Sequence, residues 1–173
     1  MGKIKILPSP IANKIAAGEV VDRPAAVVKE LIENSIDAQA TAISVLLEQS
    51  GKNLIQVIDN GMGIPEEEVQ LAFERHATSK IETAGDLDQI RTLGFRGEAL
   101  PSIASVARVE MKSRTAGQEL GILLALDGGQ ISKQEKISLK TGTIISVKNI
   151  FFNTPARRNF LRSDVTELNQ ILK

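Results

Sequence analysis

Apolar positions recur along this chain first at helical spacing and later at strand spacing. Ile4 to Leu7 is a short apolar run stopped by Pro8 and Pro10, and Ile11 to Ala17 has helical spacing that Gly18 closes. Pro24 stands where a first helical turn accepts proline, and Val28, Leu31, Ile32, Ser35 and Ala38 carry that helix to about Ala38. Thr41 to Glu48 and Asn53 to Asp59 read as a hairpin turning at Ser50-Gly51-Lys52. Pro65 starts an acidic-first helix, with Glu66, Glu67 and Glu68 ahead of Val69, Leu71 and Phe73, the order the helix dipole favours.

Periodicity weakens from His76 to Gly97, apart from a brief helical signal between Asp86 and Ile90. Loops of this length are as a rule functional or mobile. A short helix from Gly97 to about Ala104 follows, then four strand-like runs: Val106 to Lys112, Leu120 to Leu126, Gln130 to Lys136 and Thr143 to Ile150. Gly117, Asp127-Gly128-Gly129 and Thr141-Gly142 punctuate them as in a meander. Thr154-Pro155 opens a short basic helix, and the chain is helical again from Asp164 to its end. Strands arriving as hairpins, with helices gathered between them, give an α+β layered fold rather than a doubly wound parallel sheet.

The length of 173 residues suits one domain, and 42% apolar with 24% charged residues is a globular composition. Five Phe with no Trp or Tyr mean a core of Ile, Leu, Val and Ala, and no obvious base-stacking platform. Basic and acidic residues balance at 21 each, so affinity for a polyanion has to come from a local patch. The absence of Cys removes thiol chemistry and thiolate metal sites. No membrane-length apolar run or signal-peptide pattern is present, and Ile6 stands where a myristoylation signal requires Ser or Thr. The expectation is a cytoplasmic protein without a membrane partner.

Three segments carry candidate chemistry. On the helix from Pro24, Glu30, Asn34 and Asp37 share a narrow sector, with Glu33 beside it, while the apolar positions take the other side. Asn34 can lend a neutral oxygen to Mg²⁺ and Glu30 can orient or deprotonate an attacking water; the plainer alternative is a solvated helix face. Asp59, at a strand end, can accept from an exocyclic amine such as adenine N6. Gly61 and Gly63, flanking Met62, would let backbone approach a flat ligand, and the alternative is a turn whose Asp caps its own backbone. Gly94-Phe95-Arg96-Gly97, leading into Glu98, Ala99 and Leu100, can present amides to phosphate oxygens, with Thr78, Ser79, Lys80 and Arg96 adding donors and charge. Neither a P-loop nor a dinucleotide fingerprint occurs. Thr143 after Gly142 is a weaker candidate for the adenine edge.

In this order the segments resemble the MutL family of DNA mismatch-repair proteins, within the superfamily of gyrase B, heat-shock chaperones and histidine kinases. The resemblance runs through Ile15-Ala16-Ala17-Gly18-Glu19-Val20, Arg23-Pro24-Ala25, Lys29 to Ala38, Arg75 to Lys80, Gly94 to Leu100 and Asn153-Thr154-Pro155-Ala156-Arg157-Arg158. It implies the GHKL (Bergerat) ATPase fold: a two-layer sandwich with helices on one face of a mixed, largely antiparallel sheet. Glu30 would be the general base, Asn34 the Mg²⁺ ligand and Asp59 the adenine-recognising carboxylate. The stretch from about 75 to 97 would be a lid over the ATP phosphates, ordering on ATP binding as two N-terminal regions dimerise. ATP and Mg²⁺ are the implied cofactors; DNA, a MutS-type mismatch recognition protein and a second copy are the implied partners, in a bacterial, nucleoid-associated setting.

Arg157, Arg158 and Arg162 make a local basic cluster suited to DNA phosphates, with a solvated helix face near Asp164 and Glu167 as the alternative. Phe151, Phe152 and Phe160 read as core. His76, the sole histidine, reads as structural at the start of the lid. Pro101 stands where many relatives carry Ala and removes an amide near the phosphate end. The resemblance also places a second subdomain, with a lysine for the ATP γ-phosphate, and a C-terminal dimerisation region outside these 173 residues. The expectation is therefore a fragment that binds nucleotide and hydrolyses it poorly.

Overall fold

The computed structural model describes residues 4–77, 83–85 and 97–173. Helices α1 (Ser9–Val20) and α2 (Pro24–Asp37) lead into a hairpin of β1 (Ile43–Glu48) and β2 (Leu54–Asp59). A short helix α3 (Glu66–Val69) and a 3-10 turn (Leu71–Phe73) come next, then α4 (Ala99–Ser105). Strands β3 (Arg108–Arg114), β4 (Gly121–Asp127), β5 (Gln130–Ile137) and β6 (Gly142–Lys148) precede α5 (Pro155–Phe160) and α6 (Asp164–Ile171).

The six strands form one sheet in the order β1-β2-β6-β3-β4-β5. All five pairings are antiparallel, so the parallel component expected of a mixed sheet is not found among the described residues. β6 lies between β2 and β3, which sets Thr143 opposite both Asp59 and Ser113. Alternate residues Ile55, Val57, Val109, Met111, Ile122, Leu124, Leu126, Ile145 and Val147 face the helices and are buried. Helices α2, α3 and α4 pack on this face, α1 packs against α4, and α6 packs against α2. The two-layer α+β reading holds.

Local departures from the sequence pattern have identifiable causes. Helix α1 does not stop at Gly18 but continues to Val20, because Ala17 and Val21 are both drawn into the core. Phe151 is fully buried, as expected, but Phe160 is 85% exposed at the end of α5, where no element covers it. Phe152 instead carries the Arg108 guanidinium 4.5 Å from its ring centroid, a cation–π contact.

Gly142 is one of the turn glycines beside the site that leave no room for a side chain. Its φ is +134°, and a Cβ there would overlap the Asp59 carbonyl oxygen and lie 3.1 Å from Asn60 Cα. Gly142→Ala is expected to cost about 3 kcal/mol, from a disfavoured backbone conformation plus forced strand separation. Chemical denaturation of both proteins measures the difference.

Candidate functional site

The site lies where the C-terminal half of α2 crosses the end of β2. Ser35, buried on α2, donates its hydroxyl either to Asp59 Oδ2 at 2.8 Å or to the Leu31 carbonyl at 3.1 Å. The Gly61 amide donates to Asp59 Oδ1 at 2.9 Å. The carboxylate is thus held from both sides, and each oxygen keeps a lone pair for another donor. The turn-capping alternative and the ligand-binding reading of Asp59 are compatible in this geometry.

The glycines after Asp59 are required for a reason the sequence did not reveal. A Cβ on Gly61 would sit 2.7 Å from the Ala38 carbonyl oxygen, and one on Gly63, at φ +75°, would strike the Arg114 carbonyl. The close approach at both glycines is protein against protein, while Met62 and Gly63 also line the cleft described next. Asn60 likewise turns away from the cleft: its side-chain oxygen accepts from the amides of Thr41 and Ala42, both at 2.9 Å, and its amide donates to Thr41 Oγ1 at 2.8 Å.

A cleft of about 1090 Å³ opens beside Asp59. Of the sequence candidates, Glu30, Asn34, Asp37, Ala38, Asp59, Met62, Gly63, Gly97, Glu98, Ala99, Leu100 and Thr143 line it, while Gly61 lies behind its wall. Thr78, Ser79, Lys80, Gly94, Phe95 and Arg96 lie outside the described residues. Ala77 and Gly97 bound that stretch and abut each other: a Cβ on Gly97 would lie 2.7 Å from the Ala77 carbonyl oxygen. His76 Nδ1 is 3.4 Å from Glu98 Oε1 across the same junction.

Several lining residues escaped the sequence reading. Val57, Ile64 and Ile145 make an apolar wall next to Asp59; strand alternation marked Val57 and Ile145 only as core, and Ile64 lies in the turn segment after β2. Ser113, fully buried, accepts from the Ile64 amide at 2.8 Å and lies 2.9 Å from Thr143 Oγ1, so it braces one side of the cleft. A lone Ser in a strand gives no such signal. Ser35 could have been noticed as a polar residue on the apolar side of α2.

The charge of the cleft is one-sided. Glu19, Glu30, Glu33, Asp37, Asp59, Glu68 and Glu98 line it, and among the described residues lining it there is no Lys or Arg. Acidic lining of this kind repels a bare polyanion, and an accompanying cation offsets that repulsion. No three His, Cys, Asp or Glu side chains among the described residues come together as a metal cage. A neutral Asn34 oxygen completed by ligand phosphates and water is the set that suits Mg²⁺.

The basic cluster divides. Arg158 and Arg162 are exposed, but the Arg157 guanidinium is turned inward over Gly18 of α1, with Nη1 buried. The three arginines therefore differ in setting: Arg157 packs on α1, while Arg158 and Arg162 face solvent.

An α+β sandwich with an aspartate-floored, acid-rimmed cleft between a helix face and a strand end defines a nucleotide-binding ATPase class. Residues 22–155 match the family described as histidine kinase-, DNA gyrase B- and HSP90-like ATPase, and the chain belongs to that family. Within it, the chain is similar to DNA mismatch repair protein MutL of Phocaeicola vulgatus, at 56% identity over 98% of this chain and 27% of the relative. Among solved structures it is similar to the Aquifex aeolicus MutL ATPase domain complexed with ADP, with a TM-score of 0.69 and 33% identity over 88% of this chain and 53% of that one. A crystal structure described as the N-terminal domain of a DNA repair protein matches with a TM-score of 0.77 and 30% identity, over 93% of this chain and 46% of that one. The chain thus spans about a quarter of the length of such curated relatives.

Proposed function

We propose that the cleft binds ATP with Mg²⁺ and hydrolyses it slowly, as the ATPase domain of a MutL-type DNA mismatch repair protein. The carrying observation is Asp59: a carboxylate fixed by Ser35 and the Gly61 amide, beside the apolar wall of Val57, Ile64 and Ile145. That combination suits a flat base with an exocyclic amine, with Thr143 supplying a second polar contact. The ADP in the Aquifex aeolicus relative supports the same ligand class.

From the base, the ligand would run toward the helix face of Glu30, Asn34 and Asp37 and the turn at Gly97 to Leu100. Asn34 would hold Mg²⁺, which screens the phosphates from the acidic lining when bound. Glu30 would orient the attacking water and take its proton. Gly97, Glu98, Ala99 and Leu100 would present backbone amides to phosphate oxygens, together with donors from Thr78, Ser79, Lys80, Gly94, Phe95 and Arg96. Pro101 gives no amide there.

In the longer protein, nucleotide binding would order the 75–97 lid and drive N-terminal dimerisation, signalling to a MutS-type partner and to DNA, in the bacterial cytoplasm and nucleoid. Arg158 and Arg162 are the local cations offered to DNA. Among the described residues, no helix is long and apolar enough to cross a membrane. Calorimetric titration of the chain with ATP, with and without Mg²⁺, tests the reading. Saturable binding that strengthens with Mg²⁺ is expected, and no saturable binding in either condition rejects it.

A further inference from the structure

The segment Asn153 to Arg157 contacts both helices that border one end of the cleft. Its sequence carried a basic helix start, part of the family resemblance and a candidate DNA contact at Arg157. The Asn153 side-chain amide donates to the carbonyl of Ser105, the last residue of α4, at 2.9 Å. Two residues earlier, the Phe151 amide donates to the Val106 carbonyl at 2.7 Å. On the other side, Arg157 lays its guanidinium across Gly18 of α1, and all three atoms nearest a Cβ built at Gly18 belong to that guanidinium. Gly18 leaves a notch, and Arg157 fills it.

The arrangement carries an energetic signature. Arg157 Nη1 is buried without a hydrogen-bond partner, so part of a charged group gives up water for a packing position. A solvated phosphate-binding arginine has no reason to do so. The notch adjoins Glu19 and Val20, which line the cleft, and α1 packs directly on α4, which brings Ala99, Leu100 and Pro101 to the same cleft. Arg75 adds a hydrogen bond from its guanidinium to the Asn13 carbonyl of α1 at 3.3 Å.

We infer that Asn153 and Arg157 form a clamp that positions α1 and α4 around the phosphate end of the nucleotide, with Arg157 a positioning residue seated in the Gly18 notch. This rests on the ATP-binding reading above. The adenine end is built separately, from Ser35, Asp59, Ser113 and Thr143, none of which the clamp touches. Loosening the clamp therefore lowers affinity for ATP and leaves affinity for adenosine in place.

The test is a mutant cycle with two ligands. Arg157→Ala and Gly18→Ala are each expected to weaken ATP binding about tenfold, with adenosine binding changed less than about twofold. The alanine methyl at residue 18 evicts the same guanidinium, so Gly18→Ala combined with Arg157→Ala is expected to bind ATP no worse than Arg157→Ala alone. Asn153→Ala is expected to shift ATP and adenosine affinities in the same unequal way. Equal losses for ATP and adenosine, or additive losses in the double variant, overturn the clamp. An Arg157→Ala protein with unchanged ATP affinity but weakened DNA binding overturns it in favour of a DNA contact. Unfolding midpoints of the single and double variants provide a second cycle, in which additive destabilisation also overturns it. A wild-type chain that binds no ATP rejects the nucleotide reading itself, and the clamp with it.

Discussion

Replacing Glu30 with Ala is expected to lower ATP turnover about 100-fold or more, while ATP affinity changes by less than about threefold. A positioned general base contributes roughly 10² to 10⁴ in rate. Glu30 lines the cleft on the same helix face as Asn34 and Asp37, and the backbone of α2 is set by the buried Val27, Val28, Leu31 and Ser35. The adenine end, at Asp59 and Thr143, is contributed by other elements, so the substitution is expected to act on turnover more than on binding. Phosphate release at saturating ATP, beside a binding titration, separates the two quantities. Turnover equal to wild type removes Glu30 from the chemistry and leaves an ATP-gated binding module.

Asp59→Asn is the complementary experiment, with binding as its readout. The substitution preserves shape and leaves one oxygen to accept from the Gly61 amide, now at 2.9 Å. Its new NH₂ can donate to Ser35 Oγ, because the Ser35 hydroxyl can turn to the Leu31 carbonyl, 3.1 Å away. The protein is thus expected to keep its unfolding midpoint. A ligand amine, however, now meets a donor where it met a carboxylate, and loses a charge-assisted hydrogen bond of about 2–3 kcal/mol. ATP affinity is expected to fall roughly 30- to 150-fold. A variant that binds ATP as wild type does would move the adenine elsewhere in the cleft.

Much of this architecture is legible in the linear chain because it depends on periods and punctuation. The hairpin around Gln49–Gly51, the meander after α4 and the proline-started α2 were all marked by alternation, glycine pairs and proline positions. The candidate residues Glu30, Asn34 and Asp37 were legible too, because one helix places them together by geometry alone. That they share a cleft with Asp59, Thr143 and Gly97 depends on strand order, which local spacing does not encode.

The sequence by itself determined the elements, the class of layers and the polar face of α2, since each follows from interactions a few residues apart. Tertiary structure alone decided the rest. It inserted β6 beside β2, so that Thr143 faces Asp59, and it made Gly61 and Gly63 necessary by bringing the Ala38 and Arg114 carbonyls against them. It also turned Arg157 away from solvent into the space that Gly18 leaves on α1. The physical reason is common to all three. Close packing between segments distant in sequence sets which side chain has room and which has none, and no local pattern carries that information.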